Sequence, residues 1–188
     1  MSGTRRAMRW APNEEGGGYT KVPVARPGSK TKEAITDPAI MMRIDTAARA
    51  LGPSYWSSVT ILRRTGMHPS SLVELRAANV VGGVLAWTRP KTGKRLRAKV
   101  DPELAAALAI QFAGGPRTYI RLYQMVRQVG VHANVRGLSP MTFRHSRAVN
   151  LLNANVSPIK VAQVLGCSMS VLLRHYGVMT DDELLKVG

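Results

Sequence analysis

Hydrophobic positions take on a helical rhythm from Asp37 onward. Ile40, Met41, Ile44, Ala47, Ala48 and Leu51 recur at i, i+3, i+4 spacing. Asp37-Pro38 reads as an N-cap followed by a first-turn proline, and Gly52-Pro53 as a stop. A second helix is predicted from about Ser54 to Arg64, ending near Gly66. Pro69 opens a third, which carries Leu72, Val73, Leu75 and Arg76. The pattern then becomes β-like. Val80-Val81, Val84-Leu85-Ala86-Trp87 and Leu96-Arg97-Ala98-Lys99-Val100 are separated by Gly82-Gly83 and by Lys91-Thr92-Gly93-Lys94, which predicts a small antiparallel sheet. Asp101-Pro102 caps an alanine-rich helix to about Ala113. Further helices are predicted at about 117–129, 140–154, 158–166 and 169–176, with a last acidic turn at 181–185. The fold class that follows is mainly α with one small antiparallel sheet, without an internal repeat.

Residues 1–37 break this order. They hold Pro12, Pro23, Pro27 and the run Gly16-Gly17-Gly18 among scattered Lys and Arg. Such a composition buries too little apolar surface to fold alone. The segment is read as a flexible basic tail, an arm for a partner, ahead of one domain at 38–188.

Charge sharpens the picture more than composition does. There are 27 Lys+Arg against 11 Asp+Glu, a formal net charge of +16. A compact domain so charged repels itself unless a polyanion neutralises it, and double-stranded DNA is the expected partner. Cys167 is the only cysteine, which excludes an internal disulfide and a multi-cysteine zinc site. No apolar run approaches the roughly 20 residues of a membrane span. Met1 to Trp10 is basic without an apolar core, so it is not read as a secretory signal. A cytoplasmic or nucleoid location is the default. Gly82-Gly83 and Gly16-Gly17-Gly18 lack the context of a phosphate-binding loop, and His68, His132, His145 and His175 lack metal-ligand spacing. No cofactor and no metal are expected.

Three stretches carry a resemblance. Ser139 to Tyr176 reads SPMTFRHSRAVNLLNANVSPIKVAQVLGCSMSVLLRHY. This resembles the C-terminal signature of the tyrosine recombinases, the phage-type integrases: Arg144-His145 falls on the family's Arg-His pair, Leu165-Gly166 on its Leu-Gly, and Tyr176 on its nucleophile. Upstream, Thr65-Gly66 and Leu72 through Arg76 are similar to the family's first box. The run RPKTGKRLRAKV, Arg89 to Val100, resembles the β-hairpin that carries the catalytic lysine, here Lys91. The boxes stand in family order over about residues 38–180.

The resemblance implies a DNA breaking-rejoining catalytic-domain fold. It also implies attack by a tyrosine on a phosphodiester, giving a 3′-phosphotyrosine without metal or nucleotide. A five-coordinate phosphorane demands concentrated positive charge and hydrogen-bond donors. By resemblance Tyr176 is the nucleophile, Arg144 a clamp on the scissile phosphate and Lys91 the proton donor to the leaving oxygen. Plain readings stand beside these: an interface tyrosine, a phosphate anchor, a basic turn. Three family positions are degenerate. His68 stands where the family has its first arginine and cannot offer a two-pronged fork. Met141 stands for the histidine of His-x-x-Arg, and Cys167 for a His or Trp; neither is a good donor. Removing one oxyanion donor lowers rates about 10²–10³-fold in other enzymes. An N-terminal clamp domain of normal size is also not expected ahead of residue 38. Arg63, Arg64, His145 or His175 are the candidates, by their place in the sequence, to compensate for the missing groups.

Arg63, Arg64, Arg89, Lys94, Arg95, Arg97, Lys99, Arg147 and Arg174 are the expected DNA contacts. Three readings follow. The first is a DNA-binding regulator or architectural factor of a mobile element with impaired catalysis. The second is an active minimal recombinase or integrase. The third is an unrelated helix-turn-helix regulator, suggested by Ala162, Gly166 and Leu172. Partners would be DNA, further copies of the chain, or a full-length recombinase.

Overall fold

The computed structural model describes residues 8–12, 19–23, 34–90 and 92–176; for 8–12, 19–23 and 173–176 it describes the backbone alone. The chain divides into two units, residues 1–31 and 32–188.

In the first unit β1 (Met8–Pro12) pairs antiparallel with β2 (Tyr19–Pro23), in the register Met8 to Pro23 and Pro12 to Tyr19. The sequence pattern predicted no element there. Each strand has prolines only at its ends, positions where a missing N–H is tolerated. The unit boundary also lies before Asp37. Ile35 is buried, and its N–H donates to Ser146 Oγ at 2.8 Å, so residues 34–37 belong to the larger unit.

That unit contains α1 (Pro38–Leu51), α2 (Pro53–Thr65), α3 (Pro69–Glu74), a 3₁₀ turn (Ala77–Asn79) and a three-stranded antiparallel sheet. The sheet runs β3 (Val80–Val81), β4 (Val84–Thr88), β5 (Arg95–Lys99). Then follow α4 (Pro102–Gly114), α5 (Tyr119–His132), α6 (Pro140–Asn153), α7 (Pro158–Leu165) and α8 (Met169–Tyr176). The third helix ends at Glu74, two residues before the expected Arg76. The acidic turn expected at 181–185 lies outside the described residues.

The helix starts follow their caps. Asp37 accepts from the Ala39 N–H at 2.8 Å, Asp101 from Leu104 at 2.9 Å and Thr118 from Arg121 at 3.2 Å. Ser139 and Thr142 form a reciprocal capping box at the start of α6. Helix α2 is central and packs against α1, α4, α5 and α6. Its inward residues include Ser57, Ser58, Thr60 and Thr65, all buried. Small side chains permit close helix approach. Three of the hydroxyls are satisfied within the helix: Ser57 and Ser58 donate to Ser54 O, and Thr65 to Ile61 O at 2.7 Å.

The core is mainly aliphatic, with Phe143 and Trp87 as its buried aromatics. It has two parts. One gathers α1 to α5, the sheet and the start of α6 around Ile44, Ile61, Leu62, Leu72 and Leu122. The other joins the second half of α6 to α7 and α8 through Ala148, Val149, Val161, Leu165 and Leu172. Gly66 ends α2 at φ 63°, and a Cβ there would stand 2.9 Å from Leu165 Cδ2 and 3.0 Å from Arg147 Cγ. Gly93, at φ 65°, has open space around it. Gly93→Ala therefore meets only the left-handed backbone penalty, about 1–2 kcal/mol. Gly66→Ala adds overpacking and should lose roughly 2–5 kcal/mol in all. Urea denaturation of the two variants checks this, and equal losses would mean that Gly66 is not a close-approach position.

Candidate DNA-processing site

The residues of the three sequence boxes meet where the two parts of the core meet. Arg144 rises from the second turn of α6 and is only 6% exposed. Its Nη1 donates to Gly66 O at 2.9 Å and its Nη2 to Leu165 O at 2.6 Å. Both acceptors are carbonyls at helix C-termini, which lack intrahelical partners and lie at the negative end of the helix dipole. One guanidinium thus caps α2 and α7 together. The planar fork allows this; an ammonium is a single point of charge.

The hairpin is tied to the same place. Arg89 leaves β4 and sends Nη1 to Gly166 O at 2.6 Å. The turn it opens is closed by Arg89 N–H to Lys94 O at 2.9 Å and Gly93 N–H to Arg89 O at 2.9 Å. Lys91 lies within this turn but outside the described residues. Gly166, at φ 64°, is strained for any side chain, and a Cβ there would stand 2.8 Å from Leu96 Cδ1, so the leucine would have to shift. The first box, α6, the hairpin and the turn after α7 therefore touch through Gly66, Arg144, Arg89 and Leu165-Gly166.

The structure places the three residues expected at degenerate positions as follows. His68 is the N-cap of α3: its Nδ1 accepts from the Ser70 N–H at 3.2 Å and lies 2.7 Å from Ser70 Oγ. Accepting at Nδ1 assigns the ring proton to Nε2. Met141 is half-buried in the first turn of α6. Cys167 is buried at 7% exposure, with its N–H donating to Ala162 O at 3.0 Å. Tyr176 is the last residue of α8, the helix that begins two residues after Cys167. Its side chain, like those of Arg174 and His175, lies outside the described residues.

The expected cationic contacts separate into groups. Arg95, Arg97 and Lys99 alternate on β5 and are exposed, whereas Leu96 points into the core. They face Thr88, Ala86 and Val84 across the β4 pairing, so no acid opposes them. Side chains on one face of a strand repeat about every 7 Å, so these make a regular row of charge. Lys94 is exposed at the hairpin tip. Arg63 and Arg64 differ from the expectation. Arg63 pairs with Glu103 at 2.7 Å, and Arg64 pairs with Asp101. Basic groups in the last turn of α2 meet acids at the start of α4, as both dipoles favour. Arg89 likewise is turned inward as a strut rather than outward. Arg147 is half-buried. Its pKa is lowered by burial and then by the Arg64 guanidinium. Sequence reasoning missed the anchoring role of Arg89. The signal available was an arginine abutting a Pro-containing turn.

No family model matches the chain, and no curated protein sequence matches it. Solved structures do. XerA recombinase superposes with a TM-score of 0.65 at 18% identity, over 76% of this chain and 59% of that one. The Tn1549 transposon integrase, in complex with a circular-intermediate DNA, gives 0.66 at 17% identity, over 82% and 63%. The lambda integrase catalytic core gives 0.59 at 15% identity, over 71% and 91%. The fold is that of a tyrosine recombinase catalytic domain. The aligned part spans less than two thirds of the XerA and Tn1549 integrase chains, but nearly all of the lambda catalytic core. No helix among the described residues is long and apolar enough to cross a membrane.

Replacing Arg144 by Met leaves two buried helix-end carbonyls without these donors. The loss should be about 2–4 kcal/mol, since hydrogen bonds from a charged donor are worth about 1.5–3 kcal/mol each and partial relaxation recovers some. Arg144→Lys should recover only part of that loss. Chemical denaturation of both variants tests it, and a neutral Arg144→Met would show that the bridge contributes nothing.

Proposed function

We propose that this chain is a DNA-binding protein on a recombinase-type catalytic fold, with impaired strand cleavage, acting as a regulator or architectural factor of a mobile element. The observation that carries it is the acid-free row Arg95, Arg97 and Lys99 on the exposed face of β5, next to the Lys94 tip. A regular line of cations on a rigid strand suits a phosphate backbone, and binding by such contacts is independent of sequence and sensitive to salt. Relatives by fold support the partner: lambda integrase has been captured on a COC′ core site, XerH recombinase on its difH substrate, and the Tn1549 integrase on a circular-intermediate DNA. Dimers and tetramers of lambda integrase on DNA make self-association on a duplex part of the same reading.

The impairment is argued from what the degenerate positions do. His68 spends Nδ1 on capping α3 and has no fork. Met141 offers no donor, and Cys167 is a weak one in a buried position. One observation favours the active alternative. Arg144 holds Leu165 O, and α8 follows within four residues, so the helix ending in Tyr176 is indexed to the arginine that would clamp the phosphate.

Two measurements test this. Neutralising Arg95 and Arg97 to Gln should weaken binding to all duplexes alike. The slope of log affinity against log salt should flatten by about one unit for each phosphate the protein no longer neutralises. An unchanged slope would remove the hairpin from the interface. Denaturing gels of protein incubated with nicked duplex should show no covalent adduct; an adduct that vanishes in Tyr176→Phe would establish the active alternative instead. His68→Arg is the companion variant. It removes an N-cap, lowering stability by about 0.5–2 kcal/mol, while supplying the missing fork.

A further inference from the structure

The larger unit contains a cavity that the recombinase-type site does not use. It measures about 260 Å³ and lies between residues 35–38, the last turn of α2 and one face of α6. Its lining brings Arg63, Arg64 and Arg147 together with Ser146, Asn150 and a single acid, Asp37. Most of these groups are already engaged. Arg63 and Arg64 pair with Glu103 and Asp101. Asp37 caps α1. Ser146 Oγ accepts from Ile35 N–H and donates to Thr142 O.

Arg147 is the exception. It forms neither a hydrogen bond nor an ion pair with the described residues, and its Nε is buried without an acceptor. Its stem packs against Gly66 while its charge lies near that of Arg64. A half-buried guanidinium with five donors, no acceptor among the described residues and a like-charged neighbour is unfavourable as it stands. The depressed pKa has the same sign: the folded protein penalises the charged form, by burial first and Arg64 second. A hydrophobic residue of similar length would avoid that penalty. An oxyanion seated in the cavity would reverse it, satisfying the fork and screening Arg147 from Arg64.

We propose that this cavity is an anion site that takes one phosphate-type oxyanion, anchored by Arg147 and flanked by Arg63, Arg64 and Asn150. The oxyanion is either a backbone phosphate of bound DNA or free phosphate; only the first source rests on the DNA-binding reading above.

Thermal unfolding of the full chain tests it with inorganic phosphate as the probe, against chloride at matched ionic strength. Phosphate stabilises proteins generally, so the readout is the difference between wild type and Arg147→Met. Wild type should gain about 2–4 °C more than the variant at saturating phosphate. In chloride, Arg147→Met should melt at or above the wild-type temperature, because it removes a charge the fold does not compensate. Arg147→Lys, which keeps charge without the fork, should retain a reduced response. Equal phosphate gains in wild type and Arg147→Met overturn the proposal. So does an Arg147→Met variant that melts several degrees lower in chloride, since Arg147 would then be a structural strut. The source is read separately on duplex DNA. A salt slope smaller by about one unit in Arg147→Met identifies a backbone phosphate; an unchanged slope with the phosphate response abolished identifies the free ion. If the chain binds no duplex, the DNA reading fails while the phosphate measurement still decides the site.

Discussion

A single buried guanidinium sets the geometry of this domain. Arg144 joins the carbonyl that ends α2 to the one that ends α7, and through them the two parts of the hydrophobic core. Hydrophobic burial is not directional, so it would let α7 and α8 settle on α6 at several angles. Two short charge-assisted hydrogen bonds remove that freedom. Gly66 is required by the same arrangement. Its left-handed backbone turns its carbonyl toward Arg144, and its missing side chain admits Leu165 and Arg147. The hairpin is then fastened to the far side of the Leu165-Gly166 turn by Arg89.

The central helix shows how the rest of the core adapts. Ser57, Ser58 and Thr65 bring polar atoms into the interior, yet their hydroxyls return to carbonyls of α2 itself and demand nothing of neighbouring helices. Small residues then let α1, α4, α5 and α6 approach closely on several sides. A helix built from larger apolar residues would bury more surface per residue but hold its neighbours further off.

Much of the fold could be read in the chain because its punctuation is local. Asp37-Pro38, Asp101-Pro102 and Ser139-Pro140 carry the caps that the structure uses. The strand over 96–100 was legible as well, and the structure puts its cations Arg97 and Lys99 on the exposed face. Contacts made over long sequence distance were not legible. Arg63 and Arg64 looked free because their acids lie on α4, a helix beyond the sheet. Arg89 looked like one more surface cation of a basic hairpin, since nothing near it in sequence marks Gly166 as its acceptor. Arg147 was read only as a DNA contact, although it stands one helical turn after the buried Phe143 and Arg144 and is itself half-buried. The β1–β2 pairing went unread because prolines and glycines around it suggested a coil. The family boxes located Arg144 and the ends of α2 and α7, but not that Arg144 would span both.

The choice of acceptor for Arg144 and Arg89 has a consequence for how the domain behaves in electrolyte. A guanidinium that rests on a carboxylate is neutralised, and dissolved ions compete for both members of the pair. A hydrogen bond to a peptide carbonyl involves a neutral acceptor, and in a buried setting it is largely out of reach of the ionic atmosphere. The bridges to Gly66, Leu165 and Gly166 are therefore nearly blind to salt, while the α2–α4 ion pairs and the row on β5 are exposed to it. Two kinds of fastening in one domain thus answer to different variables, and added salt screens the ion pairs without loosening the carbonyl bridges.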